Sequence, residues 1–394
     1  MEYRILGRTG LKVGAIALGC EGFADKTAEE VRADFDFAIR NGINFLDLYA
    51  SNPELRSNIG AALAGRREKF VIQGHLCSVW EEGQYLRTRD PEKSLAAFED
   101  LLARLGTDYV EIGMIHYVDA EADLREVLDG PIMRLAQRLR SEGRIRHIGL
   151  SSHNPVVAHM AARTGLIDVL MFSVNPCYDL LPPSDDVDTL WADESYAREL
   201  HNIDPERQRL YEFCEREGIA IDVMKAYGGG DLLSDANSPF GRPMTPVQCL
   251  EYALTRPGVA AVMAENIPPG AAPEWAACRS RAEIEAALAW CSATAAERDY
   301  TGALAGLDKF SWEGHCMYCG HCAPCSVGID IAGVNKYYNL TLAQHEIPET
   351  VREHYRLLPH HASECIACGR CERNCPFGVD IIGHMRLAAA KFGY

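Results

Sequence analysis

Eight of the 15 cysteines in this chain stand in two tight groups towards its C-terminal end. The first group has two residues between successive cysteines: Cys316, Cys319, Cys322 and Cys325. The second group has two, two and then three residues between them: Cys365, Cys368, Cys371 and Cys375. Three thiolates at this spacing let one loop wrap around a cubane, and the fourth usually reaches a neighbouring cluster. The spacing therefore predicts two [4Fe–4S] clusters.

The rule that the fourth thiolate crosses over also assigns the ligands. It groups Cys316, Cys319 and Cys322 with Cys375, and it groups Cys365, Cys368 and Cys371 with Cys325. The first group departs from the usual pattern, because its last spacing is one residue shorter and Ser326 stands where the second group has Pro376. Two zinc sites are the alternative, but zinc needs only two cysteine pairs, whereas each loop offers four thiolates.

Charge and apolar content exclude several kinds of partner. The 39 basic and 56 acidic residues give a formal charge of -17, which argues against binding to nucleic acid or to an anionic membrane. No apolar run approaches the ~18 residues that span a bilayer, and the first residues lack the apolar core of a signal peptide. We therefore expect a cytoplasmic protein without structural disulfides, whose remaining cysteines are mostly small buried hydrophobes.

In the first three quarters of the chain, strand-like apolar runs alternate with amphipathic helical segments. The predicted strands are Val13–Leu18, Ile43–Leu46, Phe70–Ile72, Tyr109–Ile115, Ile145–Leu150, Val169–Val174, Ile219–Met224 and Val259–Met263. Predicted helices between them include Thr27–Asn41, Pro91–Leu105, Pro155–Thr164, Glu206–Glu217 and Thr245–Thr255. Eight strands alternating with helices predict an α/β protein with a closed (β/α)8 TIM barrel. A doubly wound open sheet is the alternative, weakened by the lack of a G-x-G-x-x-G motif after the first strand.

The pattern also predicts two domains and several long connections. Residues 1–300 would form the barrel, and residues 301–394 a small ferredoxin-like domain carrying both clusters. Its helical segments, Ile331–Tyr338, Pro348–Leu358 and Val379–Phe392, favour an α-helical type of ferredoxin domain. Three connections are candidates for substrate loops or insertions: Cys77–Asp90, Cys177–Ile203 and Asn266–Glu274.

Five segments of the barrel are similar to those of a known family: Tyr3–Val13, Gly42–Asp47, Tyr109–His116, Ile145–Ser152 and Met224–Gly230. In them the chain resembles the aldo-keto reductase superfamily, in particular the branch fused to a C-terminal ferredoxin domain. The resemblance implies an NAD(P)H-dependent carbonyl reductase whose Asp, Tyr, Lys and His act at the C-terminal mouth of the barrel. Asp47 and His116 match two of these positions. Asn52 stands where the family has its tyrosine, and His75 stands where it has its lysine.

This altered set leaves three interpretations open, because asparagine cannot give up a proton as a phenol does. In the first, hydride transfer persists with another acid: His75, His116, Tyr49, Tyr117 or Tyr178. In the second, Asp47, His75 and His116 form a two-His-one-carboxylate metal site, although ordinary hydrogen bonding of the histidines is favoured. In the third, nicotinamide is no longer used and electrons arrive through the clusters.

The resemblance also implies candidate cofactor contacts. Ser151 and Ser152 match the positions that hold the nicotinamide carboxamide, whereas Met171 and Met224 replace the family's glutamine and its stacking tyrosine. Lys225 is a candidate for a phosphate or a substrate carboxylate. Arg279 and Ser280 resemble the region that binds the adenosine phosphate, before a predicted helix whose N-terminus suits an anion. These residues are compatible with NAD(P)H.

Together these features predict an iron–sulfur oxidoreductase acting on a small organic substrate, either a carbonyl or an activated alkene. A redox partner such as a ferredoxin or flavoprotein, and assembly into a homo-oligomer, are compatible with it. The alternatives are a non-redox lyase or isomerase that uses the histidines and Asp47 at the barrel mouth, and an electron-transfer protein with a structural barrel.

Overall fold

The computed structural model describes residues 1–24, 26–264, 281–307, 309–342 and 347–394. Within these residues, eight parallel strands close into a barrel. They are β3 (Ile16–Gly19), β4 (Phe45–Leu48), β5 (Val71–Leu76), β8 (Val110–Ile115), β9 (Ile145–Ser152), β10 (Val169–Ser173), β12 (Ala220–Met224) and β13 (Val259–Ala264). The predicted TIM barrel is confirmed, and the open sheet is wrong, because β13 pairs with β3 through Val262 and Ile16.

The first predicted strand, Val13–Leu18, is two strands rather than one. Its first part belongs to β2 (Lys12–Gly14), which forms an antiparallel hairpin with β1 (Tyr3–Ile5). The chain then enters the barrel at β3. Val13 and Leu6 are fully buried and pack with apolar side chains of the barrel interior, so burial of the hairpin accounts for the continuous apolar run.

Six of the eight helices that lie outside the barrel between residues 28 and 254 begin at a residue whose side chain accepts a backbone hydrogen bond. Asn52, Asp90, Asn154, Asp204 and Thr245 each accept backbone hydrogen bonds at a helix start and precede a proline, which suits the first helical position. The helices are α1 (Ala28–Arg40), α2 (Pro53–Leu63), α3 (Pro91–Leu105), α4 (Glu121–Asp129), α5 (Pro131–Ser141), α6 (Pro155–Arg163), α7 (Pro205–Glu217) and α8 (Pro246–Leu254). Thr27 and Glu30 form a capping box at the start of α1.

Two long connections lie at the C-terminal mouth of the barrel. The connection Cys77–Asp90 is a hairpin of β6 (Ser78–Glu81) and β7 (Gln84–Arg87). The connection Cys177–Ile203 contains short 3-10 turns and β11 (Leu200–His201), which pairs with β14 (Phe310–Ser311). The third connection, Asn266–Glu274, lies outside the described residues.

The C-terminal part is helical, as the sequence predicts. Its helices are α9 (Arg281–Leu288), α10 (Ala295–Arg298), α11 (Thr301–Leu304), α12 (Ile331–Leu342), α13 (Glu349–Arg356), α14 (Arg370–Asn374) and α15 (Ile381–Phe392). It packs on the barrel, where Lys336 of α12 forms an ion pair with Glu215 of α7 at 3.1 Å. In the described parts of the chain, no helix is both long and apolar enough to cross a membrane.

Candidate active site and cluster cavities

Asp47, His75 and His116 form a continuous hydrogen-bonded chain at the mouth of the barrel. Asp47 lies on β4, His75 on the neighbouring β5, and His116 directly follows β8. The Oδ1 atom of Asp47 is 2.8 Å from Nε2 of His75, and Nδ1 of His75 is 2.8 Å from Nδ1 of His116. Asp47 and His75 are buried, so the barrel holds both groups away from water.

The hydrogen-bonded chain of Asp47, His75 and His116 continues into the barrel interior through a residue that the sequence analysis did not identify. Gln73 donates from Nε2 to Asp47 Oδ1 at 2.8 Å and to Asp222 Oδ2 at 3.0 Å. Because successive side chains of a strand point to opposite faces, Gln73 shares the inward face of β5 with His75. That spacing of two was the available signal, whereas Asp222 comes from β12 on the far side of the barrel.

The donors and acceptors along this chain fix the protonation of His116. A carboxylate only accepts hydrogen bonds, so a neutral His75 donates from Nε2 to Asp47 and accepts at Nδ1 from His116. His116 then carries its proton on Nδ1 and has an unprotonated Nε2. Burial, reinforced by the neighbouring His75 and Arg89, holds the pKa of His116 well below the ordinary histidine value. The arrangement therefore presents a neutral imidazole that can accept a proton.

Three tyrosines surround His116. Tyr49 is stacked parallel to its ring at 5.5 Å, and Tyr85 meets it edge-on at 5.5 Å. The ring of Tyr117 is tilted at 6.1 Å. Tyr85 comes from the β6–β7 hairpin and was not predicted; burial raises its pKa to about 12. Its phenol therefore stays protonated at neutral pH and can donate to a substrate.

The eight clustered cysteines line two cavities in the C-terminal part. The inner cavity is lined by Cys316, Cys319, Cys322 and Cys375. The outer cavity is lined by Cys325, Cys365, Cys368 and Cys371. Each cavity thus gathers four sulfur donors, three from one loop and one from the other. This donor set fits a [4Fe–4S] cubane in each cavity.

The two cavities differ in their surroundings. Burial raises the pKa of Cys316 and of Cys322 in the inner cavity, each to about 12. In the outer cavity, Cys368 is exposed, and hydrogen bonds from the backbone of Arg370 and from the Ser326 hydroxyl lower its pKa. The inner thiols would thus depend on bound metal to become thiolates, since metal ligation requires the deprotonated form.

Comparison with known proteins decides the family. Residues 11–266 match the model of the aldo/keto reductase family, and residues 315–380 match that of the 4Fe-4S dicluster domain. The chain belongs to the aldo/keto reductase family. Residues 315–380 add a C-terminal 4Fe-4S dicluster domain to it.

The alignments between this aldo/keto reductase and its relatives cover only part of each protein. The uncharacterized oxidoreductase YqkF of Bacillus subtilis (strain 168) is 28% identical over 179 residues, 43% of this chain and 56% of the relative. The L-glyceraldehyde 3-phosphate reductase of Escherichia coli (strain K12) is 30% identical over 165 residues, 39% of this chain and 46% of the relative. The chain thus spans about half the length of these curated relatives.

A solved structure supports the fold. The aldo-keto reductase AKR11C1 from Bacillus halodurans, in its holo form, superposes with a TM-score of 0.55 at 22% identity. The match covers 76% of this chain and 94% of that structure. At this identity the similarity concerns the barrel fold alone.

Two predictions, a catalytic role for Asn52 and a metal site at Asp47, His75 and His116, are at odds with the hydrogen bonds that these side chains make. Asn52 is not drawn into the Asp47–His75–His116 chain, because its Oδ1 caps α2 by accepting from the backbone of Glu54 and Leu55. The alternative metal triad loses a ligand, because His75 uses both ring nitrogens in hydrogen bonds. The histidines instead hydrogen-bond to polar neighbours.

The residues predicted to contact nicotinamide differ in the hydrogen-bonding groups that they offer. Ser151 accepts from the backbone of Tyr117 at 2.7 Å, which leaves its hydroxyl proton for another partner. Ser152 is fully buried and donates to Asp119 at 3.0 Å. Met171 and Met224 are buried and have no donor group. Thus Ser151 is the only one of these four that can donate to a carboxamide.

The remaining predicted contacts are Lys225, Arg279 and Ser280. The ammonium of Lys225 is 5.4 Å from the ring centroid of Trp191, which belongs to the Cys177–Ile203 connection. Arg279 and Ser280 lie outside the described residues. The adenosine end of a nicotinamide site is therefore a prediction from the sequence only.

Proposed function

We propose that this aldo/keto reductase is an iron–sulfur oxidoreductase that exchanges a proton with a small organic substrate at His116. The substrate class is a carbonyl or an activated alkene, or the corresponding reduced product. The observation that carries the proposal is the unbroken hydrogen-bonded chain from Asp47 through His75 to His116. It occupies the barrel mouth, which is where enzymes of this fold carry their active sites.

This hydrogen-bonded chain supplies a positioned acid–base group in place of the family's tyrosine and lysine. His116 takes a proton from the substrate at Nε2, and its Nδ1 proton can then move to His75. Asp47 stabilises the positive charge that forms on His75, and Gln73 keeps the carboxylate oriented. In the reverse direction the two histidines first take up one proton from solvent, which leaves His75 charged and His116 protonated at Nε2. This nitrogen then gives its proton to the substrate while Nδ1 of His116 recovers one from His75. Asn52 has no role in this scheme.

The cluster domain is the second part of the proposal. Cys316, Cys319, Cys322 and Cys375 would hold one [4Fe–4S] cluster, and Cys325, Cys365, Cys368 and Cys371 the other. Bound clusters of this type give or take single electrons. The domains would be residues 1–300 and 301–394. The exposure of Cys368 supports a one-electron carrier protein, such as a ferredoxin or flavoprotein, as redox partner in the cytoplasm.

The nicotinamide linkage is the third part of the proposal. NAD(P)H would supply a hydride at the barrel mouth, and the hydroxyl proton of Ser151, for which no acceptor is seen among the described residues, supports this. The described residues do not reproduce the family's other carboxamide contacts, so no step of the proton chain depends on this cofactor. Titration of the anaerobic protein with NADPH and NADH, beside a Ser151→Ala variant, tests the linkage separately.

The experiment for the main proposal compares two histidine variants. Anaerobically purified protein would be analysed for iron and sulfide and then assayed with aldehydes, ketones and enones, using NADPH or a reduced viologen as reductant. His116→Gln should lose at least about 100-fold in turnover, since a positioned acid–base group contributes about 100- to 10,000-fold. His159→Gln, whose ring packs on Phe213 outside the barrel, is the matched control and should keep full turnover.

Other outcomes would favour the alternatives. Turnover that needs neither reductant nor cluster reduction would indicate a lyase or isomerase. Equal turnover in His116→Gln and in the control would remove the proton chain from the mechanism and leave an electron-transfer role. Iron-free protein containing zinc would refute the cluster assignment.

A further inference from the structure

A buried arginine of the barrel lies directly against the loop that lines the inner cavity. Arg256 follows α8 and is only 1% exposed. Its Nη2 donates to the carbonyl of Met317, the residue after Cys316, and to the hydroxyl of Tyr300. Its guanidinium also lies 5.3 Å from the ring centroid of Tyr318, which precedes Cys319. A full positive charge thus sits behind the Cys316–Cys319 segment.

This charge has no carboxylate partner within ion-pair distance among the described residues. Its hydrogen bonds go to neutral oxygens, on Tyr252, Thr255, Tyr300 and Met317. Its Nη1 atom is buried without a hydrogen-bond partner in the described part of the protein. The buried carboxylate of Asp179, which accepts from the Tyr252 hydroxyl, acts on Arg256 only from beyond ion-pair distance. A buried charge without a direct partner is costly, so proteins normally place a compensating charge opposite it.

An iron–sulfur cluster in the inner cavity would be that compensating charge. A cubane held by four thiolates is an anion, and reduction adds a further negative charge. A nearby cation stabilises the reduced form more than the oxidised form, and it does so strongly where water is excluded. Charge and solvent exposure around a cluster are among the factors that set its potential.

The outer cavity offers a natural comparison. Arg373 approaches it, with Nη1 at 3.5 Å from the carbonyl of Cys368. That side chain is exposed, so water and salt screen its charge. The same residue type thus occurs at both cavities, buried at one and solvated at the other.

We infer that Arg256 is a positioning residue that gives the inner cluster a higher reduction potential than the outer cluster. An electron that enters through the exposed outer cluster would then come to rest beside the barrel. The inference depends on the proposed clusters and deepens their role: it assigns the outer cluster to electron entry and the inner cluster to delivery.

The test is a potentiometric titration of the full-length, anaerobically purified protein, followed by electron paramagnetic resonance. Arg256→Met should shift the midpoint of one cluster signal to lower potential and leave the other unmoved. Arg256→Lys, which keeps the charge, should retain most of the original midpoint. Arg373→Met is the matched control and should shift neither signal appreciably. Cys368→Ser identifies the outer signal, because it changes a cysteine that lines only the outer cavity.

Several results would overturn the inference. These are an unmoved midpoint in Arg256→Met, an equal shift of both signals, or a shift in Arg373→Met as large as in Arg256→Met. Loss of half the iron in both Arg256→Met and Arg256→Lys would show that the arginine only supports the loop. Absence of iron from the unmodified protein would instead refute the proposed clusters, so the two failures are distinguishable.

Discussion

Replacing His75 by lysine should reverse the proton position on His116. His75 donates to Asp47 and accepts from His116, whereas a lysine ammonium only donates. In His75→Lys the ammonium would keep the contact with Asp47 and would also point a proton at Nδ1 of His116. Nδ1 must then accept, and the imidazole proton moves to Nε2. The base that faces the substrate becomes a donor.

The size of the effect follows from the role of this nitrogen. Losing a correctly protonated acid–base group costs about 100- to 10,000-fold in rate, which is about 3 to 5 kcal/mol in activation free energy. The loss applies to the direction that needs His116 as a base. Stability should change less than in His75→Ala, where each buried polar group left without a partner costs about 1 to 3 kcal/mol.

Nitrogen NMR of histidine-labelled protein reads the result directly and needs no substrate. At pH 8 the His116 Nε2 of the unmodified protein should resonate as an unprotonated nitrogen, and in His75→Lys as a protonated one. The resonance that disappears in His159→Gln belongs to His159, which lies outside the barrel and serves as the control. A protonated Nε2 in the unmodified protein, or an unchanged Nε2 in His75→Lys, would refute the donor and acceptor assignment.

Three further predictions follow from burial and from the cysteine geometry. First, burial keeps the pKa of His116 well below its usual value. In the direction that needs a base, kcat/KM should therefore stay flat as pH falls through 6.5, the ordinary histidine value, and should decline only at lower pH. Because folding disfavours the protonated form of His116, its contribution to the free energy of unfolding is fully present above pH 6.5 and is lost as pH falls towards the folded pKa. A midpoint at or above 6.5 would contradict this. Second, Tyr252→Phe removes a donor to buried Asp179 Oδ2 and should cost about 1.5 to 3 kcal/mol in urea unfolding; no loss would be contrary to the assigned bond. Third, Cys375→Ala should abolish the same resonance signal as Cys316→Ala and spare the other, because both line the inner cavity; loss of different signals would reject this grouping.

The sequence predicted the barrel well because local signals and hydrophobic pattern agree there. Proline after Asp or Asn marks helix starts at Pro91 and Pro205, and apolar runs mark the strands. The pattern failed at Val13–Leu18, because the end of the β1–β2 hairpin and the first barrel strand are both buried and give one continuous apolar run. The connection Cys77–Asp90 looked like a loop, because its exposed hairpin strand has little apolar alternation.

The candidate site was predicted only in part, for a geometric reason. Asp47, His75 and His116 were named from positions that the resemblance to aldo-keto reductases implies, but the order of their hydrogen bonds depends on side-chain orientation. Asn52 was named from its position in a motif, whereas its side chain is used to cap α2. Tyr85 and Asp222 come from distant parts of the chain, and nothing in their own neighbourhood in the sequence marks them.

The sequence by itself determined the element order, the closed parallel architecture and the two cysteine motifs, since these depend on periodicity and on spacing within short segments. Tertiary structure alone decided which groups meet across long sequence distances. It joined Gln73 to Asp222 across the barrel, gathered Cys375 with Cys316 around one cavity, and buried Arg256 against the loop of Met317. Contacts of this kind depend on the closure of the whole barrel and its packing on the helical part, which no local pattern encodes.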